Sequence, residues 1–328
     1  MRWAAFLVSI TACAAPCITA APDCTEWVSL GGGEARALVY RTYPLATKAV
    51  NITRALIMIH GAGRDADNYF RTALAAAFLA GALEDTIVIS PRFGSNNGSG
   101  CRDILAANEV NWSCSGDSWR SGGFADGGSL SSYDFTDEIL RKLARKDVFP
   151  ALKAIVVAGH SAGGQYVTRY EMSNQIHATL GVPITYVVSN PSSYAYLDSA
   201  RPDAAGSEFR SFSDGRNCTT YDRWPYGLQN RSSYAAKLSE DQLRKQLAAR
   251  PVTYLLGEID ILPLGGFDSS CPAMAQGPTR LARGQAYAKY VNQKYGARHQ
   301  VTVVPLCGHN SRCMFTAQPA LPILFPKL

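Results

Sequence analysis

Short apolar runs rich in β-branched residues recur along this chain, each followed by Gly/Pro punctuation and a segment of helical period. This alternation narrows the architectures open to it. The runs cover residues 37–43, 55–59, 86–90, 154–158, 184–189, 252–256 and 301–305, and the helical segments 65–80, 132–146, 162–175, 239–249 and 279–295. The later runs are apolar on both faces, as parallel strands covered by helices on both sides require. Strand and helix in alternation predict an α/β fold built on a doubly wound, mostly parallel sheet in a single domain, with long inserted loops. Ser239 with Gln242 three residues on is a capping box for the 239–249 helix. A 328-residue chain can bury roughly three quarters of its unfolded surface, so disulfides can staple this fold without being needed to create it.

Met1-Arg2, the apolar stretch 3–10 and the small-residue run 11–21 have the three-part form of a secretory signal, with cleavage expected after Ala20 or Ala21. Residues 22–328 then form the mature domain, and the protein is expected to be secreted or periplasmic. No later stretch offers the roughly 18 consecutive apolar residues of a membrane span. Ile10-Thr11-Ala12-Cys13 resembles a lipoprotein processing site, which would leave the protein lipid-anchored at Cys13 instead.

Cleavage after Ala20 or Ala21 removes Cys13 and Cys17 from a total of nine cysteines. In an oxidising compartment Cys101 is expected to pair with Cys114 within one loop, Cys307 with Cys313 by proximity, and Cys218 with Cys271 by elimination. Cys24 is then the odd thiol. No Cys-x-x-Cys or His-x-x-x-His spacing points to a metal. Sequons at Asn51, Asn97, Asn111, Asn217 and Asn230 fit a secreted glycoprotein. The net charge of +6 is spread without a Lys/Arg block, so nucleic acid is not an expected partner.

The chemistry centres on Gly159-His160-Ser161-Ala162-Gly163-Gly164. A buried strand, 154–158, leads into it and a helical pattern leads out, so Ser161 falls on a sharp strand-to-helix turn. Such a nucleophile sits in a strained backbone, and only Gly at 159 and 163 lets strand and helix pass closely. Its hydroxyl would project above the carboxyl edge of the sheet, where open α/β proteins bind ligands. Upstream, the run 55–59 ends in His60-Gly61-Ala62-Gly63-Arg64.

On these two motifs the chain resembles the α/β-hydrolase superfamily, and within it secreted serine esterases, over essentially the whole mature length. The resemblance implies an oxyanion hole made by the backbone N–H of Ala62 (or Gly61) and that of Ala162. Fixed N–H dipoles aimed at a tetrahedral intermediate stabilise it by about 3–4 kcal/mol each. A protonated Ser hydroxyl also needs a base. His60 and His160 lie within the two motifs, His177 follows the helix after Ser161, and His299 precedes the last strand. His309 remains, directly after the run 301–305, where this superfamily carries its base. The implied acid is Asp260 in Gly257-Glu258-Ile259-Asp260, with Glu258 and Asp268 as nearby alternatives. The oxyanion loop reads HGAG rather than HGGG, which leaves the substrate class open.

The expectation is therefore a serine hydrolase cleaving carboxylic esters through an acyl-enzyme on Ser161, with no cofactor. The alternatives are a serine peptidase or amidase of the same fold, and a non-catalytic binding protein that retains the fold. Residues 93–131 and 194–233 resist regular assignment and carry Trp112, Trp119, Tyr196, Tyr221, Trp224 and Tyr226. They read either as binding loops for an apolar, aromatic or polymeric ester or as surface elaborations whose aromatics fill a satellite core.

Overall fold

The computed structural model of the protein describes residues 15–97, 101–114, 119–212, 214 and 217–328. Cys13 and most of the expected signal segment lie outside the described residues. Eight strands form one sheet: β1 (Thr25–Ser29), β2 (Arg36–Arg41), β3 (Arg54–Ile59), β4 (Thr86–Pro91), β5 (Ala154–His160), β6 (Ile184–Ser189), β9 (Val252–Gly257) and β10 (Gln300–Val304). They lie in the order β1-β2-β4-β3-β5-β6-β9-β10, antiparallel at the first two pairings and parallel from β4 onward. A separate two-stranded ribbon, β7 (Ala200–Pro202) with β8 (Phe209–Ser211), stands in the 194–233 insertion.

The period of two along each central strand divides the core into two layers. Ala55, Ile57 and Ile59 of β3, with Ile155 and Val157 of β5, face one hydrophobic cluster, while Leu56, Met58, Val156 and Ala158 face the other. The first layer is closed by α2 (Ser132–Leu143), α3 (Ala162–Ser173), α4 (Glu240–Ala249) and α6 (Arg280–Tyr295); the second is closed by α1 (Ala66–Leu79), α7 (Ser311–Thr316) and α8 (Leu321–Leu324). One short helix, α5 (Cys271–Met274), sits ahead of α6. Burial on both faces explains why β3, β4, β5, β6 and β9 read as continuous apolar runs, whereas the edge strand β10 leaves Val301 and Val303 exposed. The expected capping box at Ser239 and Gln242 starts α4.

Three features differ from the sequence reading or go beyond it. Strand β1 escaped notice because Thr-Glu-Trp-Val-Ser buries only Val28 fully, so it carries little apolar signal. The long loops are largely packed: Trp112 and Trp119 are buried with Phe93, Phe135 and Tyr166, and Tyr196 is buried against Tyr287 and Tyr290. Trp112, Trp119 and Tyr196 belong to the main hydrophobic cluster of the first layer, while Tyr221, Trp224 and Tyr226 are only partly buried. The expected bridges Cys101–Cys114, Cys218–Cys271 and Cys307–Cys313 are present, but Cys24 is not an odd thiol. It pairs with Cys17, Cα to Cα 5.5 Å. The Cys17 N–H donates to the Thr42 carbonyl at 2.7 Å, which brings this segment onto the protein just past β2. Among the described residues no helix is long and apolar enough to cross a membrane.

Candidate active site

Strand β5 delivers Ser161 at its carboxyl end, and α3 begins at the next residue. Ser161 has φ 59° and ψ −119°, an uncommon conformation for a residue with a side chain and one that marks functional turns. What enforces it is the space around it. A Cβ on Gly159 would lie 2.3 Å from the Gly163 carbonyl oxygen, one on Gly163 2.3 Å from that of Ile59, and one on Gly164 2.5 Å from that of Ser189. The first two glycines were legible in the motif, whereas the third depends on how closely α3 crosses β6.

The Ser161 hydroxyl lies 2.9 Å from His309 Nε2, and His309 Nδ1 lies 2.8 Å from Asp260 Oδ2. His309 follows β10 and Asp260 follows β9, so neighbouring parallel strands carry both to one edge of the sheet. The two alternative carboxylates are engaged elsewhere. Glu258 Oε2 accepts the Leu306 N–H at 2.8 Å, and Asp268 Oδ2 accepts the Tyr226 hydroxyl at 2.8 Å. Asp260 is buried, and its second oxygen faces a residue that the motifs did not single out, Arg280, whose Nη1 is 3.4 Å from Oδ1. An arginine on an otherwise ordinary amphipathic helix has no local signature of burial, so nothing in the sequence pointed to it.

The loop after β3 brings Gly61 and Ala62 to the same edge; a Cβ built on Gly61 would be 3.7 Å from that of Ser161. His60 holds this loop. The Phe93 N–H donates to His60 Nε2 at 3.2 Å, leaving the proton on Nδ1, which donates to the Gly61 carbonyl at 2.9 Å. The Arg64 N–H donates to that carbonyl as well, at 3.1 Å. In a trans peptide the next N–H points opposite to the carbonyl, so these bonds turn the Ala62 N–H away from His60. Burial lowers the His60 pKa to about 4, which suits a neutral ring in an ordering role. Arg64 itself donates to the carbonyls of Phe93, Trp112 and Ser113 and so ties the loop to the 93–131 insertion. Ala162, as the first residue of α3, has an N–H without an acceptor inside the helix.

His160 packs against His309, ring centroids 4.6 Å apart and planes tilted by 38°, with the Tyr69 hydroxyl 3.1 Å from its Nδ1. Burial, followed by the charges of His309 and Arg280, holds the His160 pKa well below the usual histidine value. The remaining histidines are distant from the site in their contacts. His177 meets Tyr186, and His299 bridges Tyr254 and the Leu247 carbonyl. Among the described residues no three His, Cys, Asp or Glu side chains gather as metal ligands would.

A sequence profile of the alpha/beta hydrolase family matches residues 56–321, which is most of the chain. The chain belongs to the alpha/beta hydrolase family. Among solved structures, this alpha/beta hydrolase is similar to one described as LpqC, a poly(3-hydroxybutyrate) depolymerase from Bordetella parapertussis, with TM-score 0.61 and 22% identity over 90% of this chain and 85% of that one. It is also similar to poly(aspartic acid) hydrolase-1 from Sphingomonas sp. KT-1, with TM-score 0.60 and 21% identity over 92% of this chain and 98% of that one. At these identities the likeness is one of fold. No curated protein sequence matches the chain.

Proposed function

We propose that this alpha/beta hydrolase is a secreted serine esterase that cleaves carboxylic esters through an acyl-enzyme on Ser161. The observation that carries the reading is the continuous hydrogen-bonded line from Ser161 Oγ through both nitrogens of His309 to buried Asp260. Asp260 accepts the Nδ1 proton, which leaves Nε2 free to take the Ser161 proton as the hydroxyl attacks the ester carbonyl. The N–H groups of Ala62 and Ala162 receive the negative oxygen. Of the two candidates in the first loop we choose Ala62, because its N–H is the one turned away from His60. His309 then gives its proton to the departing alkoxide, and water, activated by the same nitrogen, releases the acid.

The surroundings support an aliphatic substrate group. Ile259, Ile261, Leu262 and Leu264 are exposed on the loop that carries Asp260, and Leu306, three residues before His309, is 80% exposed. Ile259 N–H donates to the Cys307 carbonyl, and Gly265 packs on the edge of the His309 ring, so the loop that carries these side chains borders the base. An acyl or alcohol group of a small aliphatic ester, or of an aliphatic polyester, fits that border.

A p-nitrophenyl ester series from acetate to palmitate, beside a p-nitroanilide, tests the reading. Ester turnover is expected, with a loss of about 10⁴- to 10⁶-fold in kcat in Ser161→Ala. Release from the anilide alone would make the protein an amidase, and indifference of ester turnover to Ser161→Ala would remove Ser161 from the mechanism. For secretion, we propose that the leader ends before Cys17, since cleavage after Ala20 or Ala21 would separate Cys17 from its partner Cys24.

A further inference from the structure

A carboxylate withdrawn from water stays an anion only where partners replace its hydration. His309 serves one oxygen of Asp260, and the other faces Arg280. The Arg280 side chain has no exposed surface. Its Nε donates to Ser192 Oγ at 2.9 Å, its Nη2 to the Gly265 carbonyl at 2.9 Å, and its guanidinium lies 5.2 Å from the centre of the Phe267 ring. A buried guanidinium is expensive to desolvate and persists where it is paired. Gly265 has φ +58°, and a Cβ there would lie 2.9 Å from His309 Cδ2. One guanidinium thus holds both the second oxygen of Asp260 and the segment that abuts the edge of His309.

We propose that Arg280 is a positioning residue that keeps Asp260 ionised and offsets its pull on the His309 proton, so that ester cleavage persists to lower pH than Ser161, His309 and Asp260 alone would allow. The proposal rests on the reading of Ser161 as nucleophile and His309 as base. The base works only when neutral. An adjacent anion raises the pH at which it gains a proton, and a cation behind that anion lowers it again.

Arg280 is the cation in contact with Asp260, and the other groups packed around the pair are neutral or bonded to other partners. On α1, Tyr69 is a phenol pushed up by burial, and Tyr194, after β6, is likewise raised, so both stay neutral. His160 on β5 is held neutral by its burial. Beyond β9, Glu258 is bound to the Leu306 N–H and Asp268 to Tyr226. Arg283, one turn further along α6, donates to the Ser192 and Asp268 carbonyls and to Met274 rather than to Asp260. The field of Arg280 reaches the neighbourhood of the base, since it contributes to the lowered pKa of His160.

The test is kcat/KM for p-nitrophenyl butyrate from about pH 4 to about pH 8 in wild type, Ser161→Ala, Arg280→Met and Arg280→Lys. In Arg280→Met the acid limb is expected to move up by roughly half to one pH unit. Its kcat should also fall by about tenfold while KM stays within about twofold, the pattern of a lost transition-state contribution. Arg280→Lys keeps the charge but cannot span Asp260, Ser192 and Gly265 at once, so its limb should stay in place while kcat falls. An unmoved limb in active Arg280→Met overturns the proposal, because a purely structural loss would lower activity without shifting the limb. If the Met variant does not fold, the Lys variant decides: a moved limb or an unchanged kcat overturns the proposal. Ester turnover unaffected in Ser161→Ala overturns the underlying reading, and that result is read independently of the limb.

Discussion

Ser161 shows how a single residue depends on its neighbours' lack of side chains. Its positive φ is maintained because α3 leaves β5 at a distance that only glycine permits, and Gly163 meets the β3 backbone more tightly than any Cβ could. Alanine at 163 would gain about 1 kcal/mol of helix propensity but place a methyl carbon 2.3 Å from the Ile59 carbonyl oxygen. We expect Gly163→Ala to lose at least about 3 kcal/mol of stability, since backbone on both sides must shift. Urea unfolding checks this, and a variant as stable as wild type would mean that the elbow is looser than its contacts imply. Asp260 makes the complementary point. Three carboxylates lie near the end of β9 in sequence, and what separates them is the company each keeps: His309 and Arg280 for Asp260, a backbone N–H for Glu258, and a tyrosine for Asp268. Spacing along the chain could narrow the choice but could not see those partners.

At the scale of elements, α2 and α3 are joined by a buried polar knot that their hydrophobic period does not foretell. Asp137 on α2 accepts hydroxyls from Tyr170 on α3, at 2.6 Å, and from Tyr234, at 2.7 Å. Burial raises the Asp137 pKa to about 6, against the opposing pull of those hydroxyls and of Arg141. In the unfolded chain the carboxyl titrates near about 4, so the native state binds the proton more tightly. Its contribution to stability is full below about pH 4 and is lost as pH rises to about 6. The difference is of order 3 kcal/mol. Asp137→Asn, which cannot ionise, should flatten the decline in unfolding free energy across that window, as denaturant titrations at several pH values would reveal. A decline of the same size in the variant would assign it to other groups. The helices themselves were largely readable: the capping box at Ser239 starts α4 where the sequence puts it, and the 279–295 pattern matches α6, whose N-cap proves to be Thr279. Strand β1 and the β7–β8 ribbon were not: β1 buries only Val28, and β7 and β8 are three residues each, too short to imprint a period.

For the molecule as a whole, two of the cross-links sit beside the outermost strands of the sheet and pack into its second core layer. Cys307–Cys313 closes the loop that bears His309, and Cys17–Cys24 fastens the N-terminal segment beside β1. Removing the former in the pair Cys307→Ser with Cys313→Ser should cost about 2 kcal/mol on the chain-entropy picture. Because the loop also positions the base, kcat should fall more than KM rises. Thermal unfolding together with steady-state kinetics measures both, and unchanged kcat would mean that the loop holds its shape unaided. The amino-acid sequence by itself determined the α/β architecture, the elbow and the identities of Ser161, His309 and Asp260 as candidates. The architecture and the elbow follow from local period and turn chemistry, whereas Asp260, and the placing of the base at His309 after the last strand, are what the resemblance to the α/β-hydrolase superfamily implies. Only the tertiary structure decided which carboxylate meets His309, that Arg280 stands behind it, that Trp112, Trp119 and Tyr196 are core, and that Cys24 has a partner. Each of those depends on a contact between segments distant in the chain, and a one-dimensional pattern carries no record of which segments the closed fold brings together.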